Sequence, residues 1–110
     1  MPARSEDQKK IREMVRRIVR HFHPDKVVLF GSYARGKAGP DSDVDLLVVM
    51  PVTGKRRELE VAIRGQLHGL GLAKDIVIAS PDEWIRFQDI AGTLIRTVHE
   101  EGVTLYDRAA

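Results

Sequence analysis

Two rhythms of apolar and polar residues run through this chain. Between residues 7 and 22, Ile11, Met14, Val15, Ile18, Val19 and Phe22 recur at three- and four-residue intervals. That spacing lays one apolar stripe along an α-helix. His23-Pro24-Asp25 ends the stripe and turns the chain. Val27-Val28-Leu29-Phe30 then reads as a short strand that stops at Gly31. One helical turn is expected over Ser32–Arg35, with Gly36 as its stop and a polar loop from Lys37 to Ser42. From Val44 to Met50 nearly every residue after Asp45 is apolar, the pattern of a central strand covered on both faces. Pro51 closes that run.

The helical rhythm returns from Gly54 to His68, with Leu59, Ala62, Ile63 and Leu67 expected inward and Gly69 and Gly71 ending the helix. Asp75-Ile76-Val77-Ile78-Ala79 is a third strand. Ser80-Pro81-Asp82-Glu83 is a helix-start signature: a capping serine, a proline in the first turn, and a glutamate three residues after the cap. Ile90, Leu94, Ile95 and Val98 mark a last helix stopped by Gly102, and Val103–Tyr106 suits an edge strand. The first two strands lie too close together for a crossover helix, whereas the second and third do not. The expected fold is therefore a small α/β (α+β) domain, a mixed sheet with helices packed on it.

A length of 110 residues suits one domain, 1–110, around one core. No apolar run approaches the roughly 18 residues of a membrane span. The first residues, Met-Pro-Ala-Arg-Ser-Glu-Asp, lack the apolar core of a signal peptide, so a cytoplasmic protein is expected. With no cysteine, disulfides and thiolate metal sites are excluded. The net charge of +2 says little, but its distribution is uneven. Lys9, Lys10, Arg12, Arg16, Arg17 and Arg20 crowd the first helix, while Asp41, Asp43 and Asp45 concentrate the acid. A basic helix of this kind can bind RNA or an acidic protein, and it is also what an ordinary solvated face looks like.

The segment between the first two strands carries the chemistry. Gly31, at a strand-to-helix corner, lets the backbone approach a phosphate closely and take a positive φ. Ser32 then stands at the head of a helical turn, where N–H groups favour anions and its hydroxyl adds a donor. Asp43 and Asp45 are i and i+2, so on a strand they share a face about 6.5–7 Å apart. Two such carboxylates repel one another, and a divalent cation between them removes the repulsion. Asp75 opens the third strand. If that strand neighbours the second, a third carboxylate joins the pair, able to help hold two metals and to accept a proton.

Gly31-Ser32-Tyr33-Ala34-Arg35-Gly36, then Ser42-Asp43-Val44-Asp45-Leu46, then Asp75, resembles the nucleotidyltransferases of the DNA polymerase β superfamily, and within it the minimal nucleotidyltransferase (MNT) domains. The resemblance spans most of the chain, including the closing Glu101–Tyr106 segment. It implies that Gly31 and Ser32 form the nucleotide-phosphate turn. Asp43 and Asp45 correspond to two metal ligands, and Asp75 to the third acid. Arg35 corresponds to a family arginine that reaches the phosphates or braces the loop; Lys37 is a weaker candidate. The implied cofactor is Mg²⁺, as two ions, with ATP as substrate.

Larger members of the superfamily carry a further domain that recognises the acceptor, and 110 residues leave no room for one. MNT proteins are commonly paired with a HEPN-domain RNase toxin. The resemblance thus implies an antitoxin that transfers AMP to a toxin tyrosine, as a homo-oligomer or as a hetero-oligomer with the toxin, with neither membrane nor nucleic acid required. Two alternatives stay open: a module that neutralises a partner by contact alone, and a small-molecule, aminoglycoside-type transferase. Other residues carry less. His21 and His23 lack a third ligand nearby, and the Arg16–His21 spacing resembles HEPN nucleases by chance. Trp84 and Phe87 suit core packing or, if exposed, a docking patch. His68 and His99 belong to no constellation, and Tyr33 suits stacking near a nucleotide or loop packing.

Overall fold

The computed structural model describes residues 5–110; the start of the polar N-terminal stretch lies outside the described residues. The order of elements is α1 (Ser5–Phe22), β1 (Lys26–Phe30), β2 (Val44–Val49), α2 (Arg56–Gly65), β3 (Lys74–Ala79), α3 (Pro81–Phe87), α4 (Leu94–Glu101) and β4 (Val103–Asp107). The strands form a mixed sheet in the order β3-β2-β1-β4. β1 runs antiparallel to both β2 and β4, and β2 runs parallel to β3, joined by the α2 crossover. Among the described residues no helix is long and apolar enough to cross a membrane.

Alternation along the strands divides the core into two layers. Val44, Leu46 and Val48 of β2 pack with Ile76 and Ile78 of β3 beneath the α1 stripe and Ile63 of α2. Leu47 and Val49 face the other way, with Val28, toward Trp84 of α3 and Val98 of α4. β2, inner in the sheet and covered on both sides, is buried from Leu46 to Val49, as its continuous apolar run requires. Trp84 takes the core role; its ring meets His99 edge-on at 5.6 Å between centroids.

Local expectations hold where backbone chemistry is strong. The Ser80 side chain accepts from the Glu83 N–H at 3.1 Å, and Glu83 Oε1 accepts from the Ser80 N–H at 2.8 Å, a complete capping box. Three details differ. α2 is shorter than Gly54–His68: it ends at Gly65, with Leu59 and Ile63 toward the core, Leu67 buried just beyond its end, and Ala62 exposed. Ile90 lies in the turn before α4 and is exposed; Thr93 caps that helix instead, accepting from the Arg96 N–H at 3.1 Å. Asp43 falls just before β2 rather than within it.

Candidate active site

One end of the sheet gathers the chemistry. There β1 stops, and β2 and β3 begin. In the β1–β2 ladder Asp45 pairs with Phe30, the residue before Gly31, and in the parallel β2–β3 ladder it pairs with Asp75. Asp45 and Asp75 therefore stand side by side on one sheet face, the face of Leu47 and Val77, where α3 and α4 pack farther along. Val44 points to the opposite layer and is fully buried, which fixes the start of β2.

Gly31 has φ +76°, a conformation that L side chains rarely adopt. Its backbone also lies directly against Asp45. A Cβ there would overlap Asp45 Oδ2 and sit 3.1 Å from Cγ. The following residues form one helical turn closed by a Schellman motif. The Lys37 N–H donates to the Ser32 carbonyl at 2.9 Å and the Gly36 N–H to the Tyr33 carbonyl at 3.4 Å, with Gly36 in the left-handed region. Ser32 opens this turn, and its hydroxyl carries no hydrogen bond among the described residues. Arg35 projects an exposed side chain with no ion pair among the described residues. Tyr33 is buried, its hydroxyl donating to Asp7 at 3.3 Å; this is loop packing.

Asp43 is held from both sides. The Gly39 N–H donates to Ser42 Oγ at 2.8 Å, and the Ser42 N–H returns a bond to the Gly39 carbonyl at 3.1 Å, closing the loop ahead of it. The Val44 N–H donates to the Ala73 carbonyl at 2.8 Å, tying the next residue to the start of β3. Partial burial raises the pKa of the Asp45 carboxyl above its ordinary value, and the neighbouring charges of Asp75 and then Asp43 add to the rise. Asp75 itself is exposed, with Arg64 of α2 approaching to 3.6 Å. Sequence reading missed Arg64. It has the look of any solvated helix residue, and only the packing of α2 beside β3 brings it near the site.

Among the described residues no group of three His, Cys, Asp or Glu stands in ready ligating range. The three aspartates are adjacent but not drawn into a closed cage. Their chemistry nevertheless fits a hard divalent cation: the donors are carboxylate oxygens, and Asp45 is pushed toward its neutral form first by partial burial and then by the charges of Asp75 and Asp43, which a cation would neutralise.

A mixed α/β sheet with a glycine–serine corner beside clustered aspartates offers the donor types that phosphate and divalent-cation chemistry uses. Residues 9–105 match the family model described as the nucleotidyltransferase domain, and the chain belongs to that family. Two solved structures share its fold. One, from Sulfolobus solfataricus and provisionally classed as a nucleotidyltransferase, is 20% identical over 97% of this chain and 91% of its own, with a TM-score of 0.62. The other, a toxin–antitoxin with AMP-PNP, is 24% identical over 87% of this chain and 73% of its own, with a TM-score of 0.56. At such identities the likeness concerns the fold. No curated protein sequence matches the chain.

Proposed function

We propose that this chain transfers AMP from ATP to a hydroxyl of a partner protein, a tyrosine of a HEPN RNase toxin, and acts as the antitoxin of the pair. The observation that carries the transfer chemistry is the register of Asp45 with Asp75 beside the Gly31 corner. The partner is supported by the shared fold with a toxin–antitoxin solved with AMP-PNP, and by the resemblance to MNT domains.

In this reading the triphosphate lies against the backbone at Gly31, where the absence of a side chain permits close approach, and the Ser32 hydroxyl donates to a phosphate oxygen. Arg35, with no ion pair among the described residues, swings onto the phosphates. Asp43, Asp45 and Asp75 would hold Mg²⁺, as two ions, which when bound supplies charge neutralisation at the phosphates and at the acceptor oxygen. The acceptor oxygen forms a bond to the α-phosphorus, and the bond from that phosphorus to the bridging oxygen breaks. Pyrophosphate leaves with the electron pair, and Asp75 accepts the hydroxyl proton.

A second reading is favoured by one contact. Arg64 lies close enough to Asp75 to occupy it, as in a module that binds a nucleotide and masks its partner without transfer. Incubating the chain with the protein encoded beside it, ATP and Mg²⁺, then weighing that protein, separates the two. An AMP adduct on a tyrosine, absent with Asp43→Asn, supports transfer. ATP binding with no adduct under any condition supports masking by contact.

A further inference from the structure

On the opposite sheet face from Asp45, α1 leaves part of the layer open. A groove of about 860 Å³ runs between α1 and β4, with β1 beneath it and the Tyr33–Gly36 turn at one end. Its floor is apolar: Ile11, Val15, Val19, Leu29, Leu105 and Tyr106. One wall is a ridge of arginines, Arg12, Arg16 and Arg20, spaced four residues apart along α1. Each step is about 6 Å, so the ridge is about 12 Å long. Among the described residues no acidic side chain lines the groove. Arg16 pairs with Glu13 at 2.8 Å, but Arg12 and Arg20 have no ion pair among the described residues.

We infer that this groove docks an amphipathic helix of a partner protein, its apolar stripe on the floor and a row of acidic residues against the arginine ridge. The shape argues for a helix. The depression reaches past the edge strand β4 to Leu29 of β1, so it lies over the sheet face beside α1, where a further helix would complete the layer. The charge argues for acid, because Arg12 and Arg20, which have no ion pair among the described residues, are complementary to a negative surface. A second copy fits poorly, since a two-fold contact sets this patch against itself and its described lining offers no acidic residue to meet the arginine ridge. Single-stranded nucleic acid fits poorly too. Such binders present exposed aromatic platforms, whereas this floor is largely aliphatic and Tyr33 is buried. The inference rests on the proposed function only in taking the partner to be a protein; it does not require transfer.

The test uses a labelled, alanine-based peptide of about 25 residues, beyond the roughly 12–15 at which isolated helices are marginal. Leucines are placed at i, i+3, i+4 and i+7 and flanked by glutamates; a second peptide carries lysine in place of each glutamate. Fluorescence anisotropy is read without ATP, on the wild-type chain and on Asp45→Asn. The expected result is saturable binding of the glutamate peptide, equal in both proteins, weakened by salt. The lysine peptide should not bind. The double variant Arg12→Glu/Arg20→Glu, altered only at exposed positions, should lose on the order of tenfold in affinity for the first peptide and gain affinity for the second. Leu105→Ser should weaken binding without changing its salt dependence. Equal binding of both peptides, or no binding of either, overturns the inference. So does a dimer that dissociates in the double variant, or oligouridine binding more tightly than the glutamate peptide. Peptide binding without AMP transfer leaves the groove standing and removes the transfer reading; transfer without peptide binding does the reverse.

Discussion

Gly31 and Asp45 are in direct contact, with no room between them for a side chain: a Cβ on the glycine would overlap the carboxylate. The corner expected to receive phosphate and the carboxylate expected to bind metal are therefore one packed unit. Gly31→Ala must both adopt φ +76° and displace Asp45. A stability loss of about 1–3 kcal/mol is expected from the backbone alone. Urea unfolding measures it, and ATP affinity measured on the still-folded variant should fall as well.

Asp45 should make the fold less stable as pH rises. Its folded-state pKa is raised above the unfolded value, so the folded chain binds the extra proton through the window between the two. The unfolded value is about 3.9. Below it Asp45 imposes no cost. Above the raised folded value the cost of ionising beside Asp75 and Asp43 is complete. Asp45→Asn should therefore melt at a higher temperature than wild type at neutral pH, with the gain shrinking as pH falls toward the unfolded value. Added Mg²⁺ should raise the melting temperature of wild type at neutral pH and leave that of Asp45→Asn nearly unchanged. Thermal melts across pH, with and without Mg²⁺, check both statements.

Asp75 is assigned proton acceptance as well as metal binding. Asp75→Asn should lower the rate of AMP transfer by roughly 10²–10⁴-fold. Arg64→Gln frees Asp75 from its ion pair. Because both partners are largely exposed, stability should change by less than about 1 kcal/mol. If Arg64 competes with the cation, Mg²⁺ should bind more tightly to this variant; calorimetric titration reads that directly.

The Ser80–Glu83 capping box supports α3 away from the aspartates, so it serves as a control. Ser80→Ala should cost about 1 kcal/mol of stability and leave ATP affinity unchanged. Denaturant melts and a binding titration check the pair of outcomes.

Much of the architecture was legible because strong local signals agreed with packing. The α1 stripe, the apolar run of β2 and the Ser80 cap each state their role in residues close together in sequence. Ile90 and Ala62 misled because periodicity marks a face without saying how wide a contact the tertiary structure will use. Leu59 and Ile63 make the α2 contact with Leu67 just beyond its end, and Thr93 sets the start of α4. The motif from Gly31 to Asp45 could be read as chemistry, but the pairing of Asp45 with Asp75 could not be computed from it. That register depends on α2 returning the chain to run parallel beside β2. Arg64 and the α1–β4 groove were hidden for the same reason: both arise where separate elements meet.

The central claim, that the aspartates at the head of β2 and β3 serve nucleotidyl transfer, is tested most directly with ATP labelled on the α-phosphate. Wild-type chain, Asp43→Asn and Asp45→Asn are each mixed with the partner protein and Mg²⁺, and label on the partner is counted. Label carried by wild type and lost by at least 10²-fold in both variants is the predicted result. Label transferred at the wild-type rate by either folded variant would contradict the account.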